Sequence, residues 1–242
     1  NGLLGWAESY MAGDWECDSL ITLTDWAMYN EDALRTAFAG RSISALINRI
    51  WHRLNDNSKR GSRKNIAYHY DLGNHFYQEW LDETMTYSSA LFEDTSLTLA
   101  QAQNAKYQRI LSMSEAKSGD RILEIGCGWG GFAETVSEQD NLSLYGVTLS
   151  KEQLAYANHR VGQLEANDRI KLAFQDYRDI DQTFERIVSI EMFEAVGEAH
   201  WDTYFQKLYT SLKPGGTAVL QIICIEPKRF ENYRNNADFI QR

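Results

Sequence analysis

The segment with the most specific chemistry is Glu124-Ile125-Gly126-Cys127-Gly128-Trp129-Gly130-Gly131, which follows the short apolar stretch Arg121–Ile125 and opens an amphipathic one. Without Cβ atoms, a loop of this kind lets backbone approach a ligand closely. The helix after it presents unsatisfied N–H groups in its first turn. Gly126, Gly128 and Gly131 satisfy G-x-G-x-x-G, a spacing that also holds dinucleotide pyrophosphates. A dinucleotide site needs an acid about 20 residues on, at the end of the second strand. That place holds Gly146-Val147-Thr148. The loop is therefore read as a cradle for another ligand, against the plain alternative of a glycine turn that binds nothing.

The elements around the loop alternate. Arg121–Ile125, Leu142–Val147, Ile170–Phe174 and Phe184–Ile190 read as strands. Gly131–Glu138, Ser150–Val161 and His200–Leu212 read as helices. Lys213-Pro214-Gly215-Gly216 reads as a turn into a last strand, Thr217–Ile225. Strands alternating with helices predict an α/β, doubly wound parallel sheet of Rossmann-like type. Upstream, a helix begins at Leu3–Ala7, and another spans Trp26–Phe38, capped by Thr24 or Asp25. Apolar residues Ile43, Leu46, Ile47, Ile50, Trp51 and Leu54 recur at helical spacing. Asn74–Leu81 reads as a helix capped by Asn74, and Leu99–Lys117 as a longer one. The expected organisation is a helical N-terminal domain over 1–60, a helical lid or connector over 61–117, and an incomplete Rossmann-like domain over 118–242.

Composition narrows the partners. A net charge of −10 argues against a nucleic-acid binder. Against that background Arg41–Lys64 carries seven basic residues and one acid, a local footprint for an anionic surface. No apolar run reaches the roughly 20 residues of a bilayer span, and the start lacks a signal-peptide pattern. Cys17, Cys127 and Cys224 are too widely spaced for a disulfide framework or a metal site. Cys127 reads as a packing residue. A cytoplasmic protein with reduced thiols is expected.

Several motifs in order carry a resemblance. They are His69-Tyr70-Asp71-Leu72-Gly73-Asn74, Met85-Thr86-Tyr87-Ser88, the glycine loop, and Gly146–Ser150 with Gln153. Gln175-Asp176-Tyr177-Arg178-Asp179, Phe184–Ser189 with Met192-Phe193-Glu194, and Leu212–Gly216 complete the set. Together they resemble the cyclopropane-fatty-acyl-phospholipid synthase family, which includes the mycolic acid cyclopropane synthases. The resemblance covers roughly 65–242 and implies a class I methyltransferase fold. The implied reaction transfers the methyl of S-adenosylmethionine to a cis double bond in a phospholipid acyl chain. Proton loss then closes a cyclopropane; other branches of the family instead give methylene or methyl-branched chains.

The resemblance places Tyr87, Ser88 and Glu124 near the methionine part of the cofactor, above Gly126, Gly128 and Gly130, with Trp129 alongside. Thr148 and Gln153 fall near ribose and adenine, Asp176 and Tyr177 near adenine. In relatives a bound bicarbonate takes the proton, held by a Cys, a Glu, a His and a Tyr. The Glu corresponds to Glu194, but Ser89 stands for the Cys and Gln221 for the His. Both can still donate to an anion. His69 is either a fourth site residue or a structural histidine. Glu191 reads as a strand-end acid facing solvent near the site. The implied location is the inner face of a membrane, with Arg41–Lys64 as the contact. The alternatives are a small-molecule N- or O-methyltransferase of the same fold and a non-catalytic lipid- or cofactor-binding relative. Five strands are expected where the full fold has seven. Thr217–Ile225 should therefore lie at a sheet edge that invites a second copy, in a truncated form that lacks turnover.

Overall fold

The computed structural model describes residues 2–30, 33–34, 59, 61, 73–165, 167–228 and 230. The chain divides into two compact units, one made of 1–56 with 224–242, the other of 57–223. In the first unit α1 (Gly2–Met11) is followed by α2 (Leu20–Tyr29). Trp15 stacks on Trp6 at 4.9 Å and its Nε1 donates to Ser9 Oγ at 2.9 Å, tying the loop back onto α1. α2 begins earlier than the sequence predicts. Ser19 is its cap, accepting from the Thr22 N–H, whereas Thr24 donates back to the carbonyls of Leu20 and Ile21 inside the helix. The helix ends at Tyr29 with Asn30 as its C-cap. The apolar stripe Ile43–Leu54 and the His69–Leu72 part of the histidine motif lie outside the described residues.

The second unit is the α/β fold expected from the sequence. α3 (Gly73–Gln78) and α4 (Leu99–Ser114) precede β1 (Arg121–Ile125), α5 (Gly131–Ser137), β2 (Ser143–Thr148) and α6 (Lys151–Gly162). β3 (Ile170–Phe174), β4 (Phe184–Ile190), α7 (Trp201–Ser211) and β5 (Leu212–Gln221) follow. The five strands pair in parallel in the order β3-β2-β1-β4-β5. The order reverses between β1 and β4, which leaves a crevice at their C-terminal ends, where open α/β sheets bind ligands.

Alternate residues of β1 face opposite sides. Ile122 packs with Tyr107, Ile110 and Phe132, while Leu123 and Ile125 pack with Tyr204 and Leu208 of α7. Glu124 shares the face of Ile122, which brings it toward α4. That helix is fixed by a capping box in which Thr98 Oγ accepts from the Gln101 N–H and the Gln101 side chain accepts from the Thr98 N–H. It ends at Glu115, in left-handed backbone, earlier than expected.

Two other expectations are corrected. α3 already includes Gly73, and Asn74 does not cap it; its Oδ1 accepts from Trp129 Nε1 at 2.7 Å. β5 spans Leu212–Gln221 rather than Thr217–Ile225. Phe184 pairs with Leu212 and Arg186 with Thr217, so Lys213–Gly216 bulges out between two paired stretches of one strand. Gly215, at φ +79°, makes that detour. β5 forms one edge of the sheet among the described residues.

Candidate active site

The glycine loop is pinned to its neighbour strand. The N–H groups of Gly126 and Cys127 both donate to the Val147 carbonyl, at 2.9 and 3.0 Å. Gly126 and Gly128 have φ of +87° and +51°. A Cβ at Gly126 would come within 3.0 Å of the Met192 side chain, whereas one at Gly128 would enter open space. A Cβ at Gly131 would lie 2.6 Å from Tyr107 Oη. Cys127 is buried, and burial pushes its thiol well above the ordinary range, the neighbouring Glu124 adding to the effect. It packs.

Beside the loop Glu124 is only 3% exposed, and its Oε2 has no hydrogen-bond partner. Burial pushes its carboxyl up to about 8, against the pull of Lys106. Lys106, on α4, is buried as well. Its Nζ donates to Ser88 Oγ at 2.5 Å and Gln103 Oε1 at 2.8 Å, over the Tyr107 ring. Burial lowers it to about 8, and the charges of Glu191, Asp82 and Glu124 oppose that shift. Gln103 also donates to the Ser88 carbonyl at 2.7 Å. Sequence reasoning missed Lys106. The signal was there, because Gln103 and Lys106 lie on the same buried helix face as Tyr107 and Ile110.

Residues between α3 and α4 cross the site without helix or strand and are held by side chains. Arg160 of α6 donates to the Thr84 carbonyl at 2.8 Å and pairs with Glu134. Thr84, Thr86 and Tyr107 form a hydroxyl chain that starts at Asp82. Tyr87 is partly exposed and edge-on to Tyr77, Trp80 and Trp129. Trp129 itself is buried among Tyr77 and Met85.

At the end of β2, Thr148 Oγ1 donates to Gln153 Oε1 at 3.2 Å and accepts from the Ser150 N–H. After β3, Asp176 is fully buried and held by Arg178. Its Oδ1 accepts from the Arg178 N–H and Nε, and its Oδ2 from Nη2 at 2.7 Å. Burial alone would raise its pKa, but the Arg178 hydrogen bonds and charge bring it below the ordinary value. Tyr177 packs edge-on against Tyr204. Asp176 and Tyr177, read from sequence as adenine contacts, thus already have partners within the protein.

A second constellation lies at the ends of β4 and β5. Ser89 and Gln221 come together, but on Glu191 rather than Glu194. Glu191 Oε1 accepts from the Ser89 N–H at 2.9 Å, Ser89 Oγ at 2.7 Å and Gln221 Nε2 at 2.8 Å. The solvent-facing role read for Glu191 does not hold. Glu194 instead accepts the Ile223 N–H. His69 lies outside the described residues, and those residues contain no cluster that could hold a metal.

A family profile, mycolic acid cyclopropane synthetase, matches residues 57–242. This chain belongs to that family. It is 36% identical over its whole length to tuberculostearic acid methyltransferase UfaA1 of Mycobacterium tuberculosis, covering 58% of that protein. It is 38% identical over 92% of its length to the cyclopropane-fatty-acyl-phospholipid synthase of Escherichia coli K12, covering 56% of it. The chain thus spans a little over half the length of these curated relatives. Among solved structures, the cyclopropane synthase MmaA2 from Mycobacterium tuberculosis superposes with a TM-score of 0.66 at 28% identity, covering 74% of this chain and 63% of that one. The mycolic acid cyclopropane synthase CmaA1 complexed with SAH and CTAB superposes with a TM-score of 0.64 at 30% identity, covering 71% and 60%.

Proposed function

We propose that this chain carries the S-adenosylmethionine site of an enzyme that methylates the cis double bond of an unsaturated phospholipid acyl chain. Proton loss then closes a cyclopropane, or leaves a methylene branch or a methyl branch beside a shifted double bond. The observation that carries the reading is Glu124, a buried carboxyl group with one unpartnered oxygen beside a glycine cradle. A buried acid of that kind fits a ligand that brings positive charge and N–H donors. S-adenosylmethionine has both, and when bound it supplies an electrophilic methyl group on sulfur.

The residues divide the work. Gly126, Gly128 and Gly130 let the backbone pass close beneath the ligand, with Glu124 facing its methionine end. Lys106 holds Ser88, and through it the segment carrying Tyr87, over the same end. Thr148 and Gln153 lie at the end of β2, toward ribose and adenine. Asp176 and Tyr177 follow β3 on the adenine side. The aromatic group of Tyr77, Trp80, Tyr87 and Trp129 lines the site and offers rings to developing positive charge. His69 belongs to the site through the family motif alone. No helix among the described residues is long and apolar enough to cross a membrane. We read Arg41–Lys64 as the contact with an anionic lipid surface.

Calorimetry of the natural full-length protein with S-adenosylhomocysteine tests the cofactor. Binding is expected in the wild type and lost in Gly128→Val, whose side chain would enter the open space in front of the loop. Tight NAD binding without S-adenosylhomocysteine binding would refute the reading. Mass spectrometry of lipids incubated with the enzyme then identifies the product.

A further inference from the structure

The anion that Ser89 and Gln221 hold is part of the chain. Three donors meet on Glu191 Oε1, and Gln221 Nε2 reaches the Ser89 carbonyl as well, at 3.3 Å. Among the described residues the hydrogen bonds to the Glu191 side chain all fall on Oε1, so the carboxylate is oriented by one oxygen and the other is left unbonded. The backbone is committed to this arrangement. Glu191 sits at φ +46°, its N–H bonded to the Gln221 carbonyl at 2.8 Å. A non-glycine residue in left-handed backbone persists where the surroundings hold it, and such residues cluster at functional sites. Met192, the next residue, packs against Gly126 of the cofactor loop, which places Glu191 at the same crevice.

A bound bicarbonate, as the family resemblance implies, does not fit this arrangement. Its donors are already taken, and it would stand beside a like charge within hydrogen-bonding range. We propose that Glu191 is the general base of this enzyme, its own carboxylate replacing a bound bicarbonate. The proposal rests on the methyltransferase reading above. Once a methyl group has been added to the double bond, the carbon framework carries one positive charge and one proton too many. Glu191 Oε2 takes a proton from the new methyl group. The C–H electron pair becomes the third ring bond, and the resulting carboxylic acid returns its proton to solvent.

The test uses the natural full-length protein with vesicles of cis-unsaturated phosphatidylglycerol. Glu191→Gln is expected to lower turnover by about 100- to 10,000-fold, the usual contribution of a general base, with S-adenosylhomocysteine affinity within about twofold of wild type. Glu191→Gly removes the carboxylate and relaxes the left-handed backbone. It is expected to fold, to bind ¹³C-bicarbonate in a directly observed NMR titration where wild type binds none, and to regain turnover with millimolar bicarbonate or formate. Wild-type turnover should not change when bicarbonate is stripped from the buffer. Three outcomes would overturn the proposal: wild-type turnover in Glu191→Gln, bicarbonate dependence of the wild type, or no bicarbonate binding by Glu191→Gly. Failure of the wild type to bind S-adenosylhomocysteine would instead overturn the underlying methyltransferase reading.

Discussion

Replacing Glu124 by Gln should make the protein more stable by an amount that depends on pH. In the unfolded chain this carboxyl titrates at its ordinary 4.5; in the folded protein burial raises it to about 8. Below 4.5 it is protonated in both states, and the buried acid carries no penalty. As the pH rises from there, the unfolded chain ionises first, so the folded state loses ground until its own carboxyl ionises near 8. Each pH unit in that window is worth about 1.4 kcal/mol, and the whole interval roughly 5 kcal/mol. Lys106 works with the opposite sign. Lowered from 10.5 to about 8, it weakens the folded state by a constant amount below 8 and is relieved only as the pH rises from 8 to 10.5. The interval from pH 5 to 7.5 therefore isolates Glu124. Urea unfolding across it should show the advantage of Glu124→Gln growing by about 1.4 kcal/mol per unit. A constant difference, or one that shrinks as pH rises, would mean that Glu124 is ionised throughout and stabilised by Lys106. The same variant should bind S-adenosylmethionine less tightly.

Two further outcomes follow from the charges. Asp176→Asn removes the carboxylate that holds Arg178 in a buried pair; it should lower stability by about 3–5 kcal/mol, read as a drop in Tm. Changing Lys59, Arg60, Arg63 and Lys64 together to Gln should weaken co-sedimentation with anionic vesicles at low salt, each basic residue near the surface contributing about 1 kcal/mol. Lys59 already pairs with Asp179, so it should matter less than the other three.

Three of the five strands were legible because their signals are local. Arg121–Ile125, Ile170–Phe174 and Phe184–Ile190 are short, mostly apolar stretches, and each stands in the structure with the predicted limits. The last strand was misplaced because Lys213–Gly216 looks like a loop. Strand pairing on both sides of it extends β5 back to Leu212. α2 was misplaced because Ser19, Thr24 and Asp25 all suit a cap, and which one serves depends on backbone that the sequence does not display. In the site, the glycine loop could be read from spacing and order, and Glu124 was singled out by the family resemblance. Glu191 could not, since its role comes from Ser89, 102 residues away in the chain, and from Gln221 on another strand. Lys106 was hidden for a related reason: a lysine on a helix reads as solvated until the helix is docked.

The strand order also bears on how the protein folds. β1 meets β2 about 20 residues along the chain, β2 meets β3 at a similar distance, and β4 meets β5 within about 30. β1 meets β4 only after about 60. Closing that longer loop costs about 1 kcal/mol more than closing the short ones. Non-local parallel pairing is also the slow kind. Two sub-sheets should therefore form first, β1-β2-β3 and β4-β5, with the β1–β4 seam joining them last. The crevice lies along that seam. Glu124 is on one side of it and Glu191 on the other, so the two constellations face one crevice only once the seam has closed, and an intermediate with most of its sheet in place would still lack the complete site.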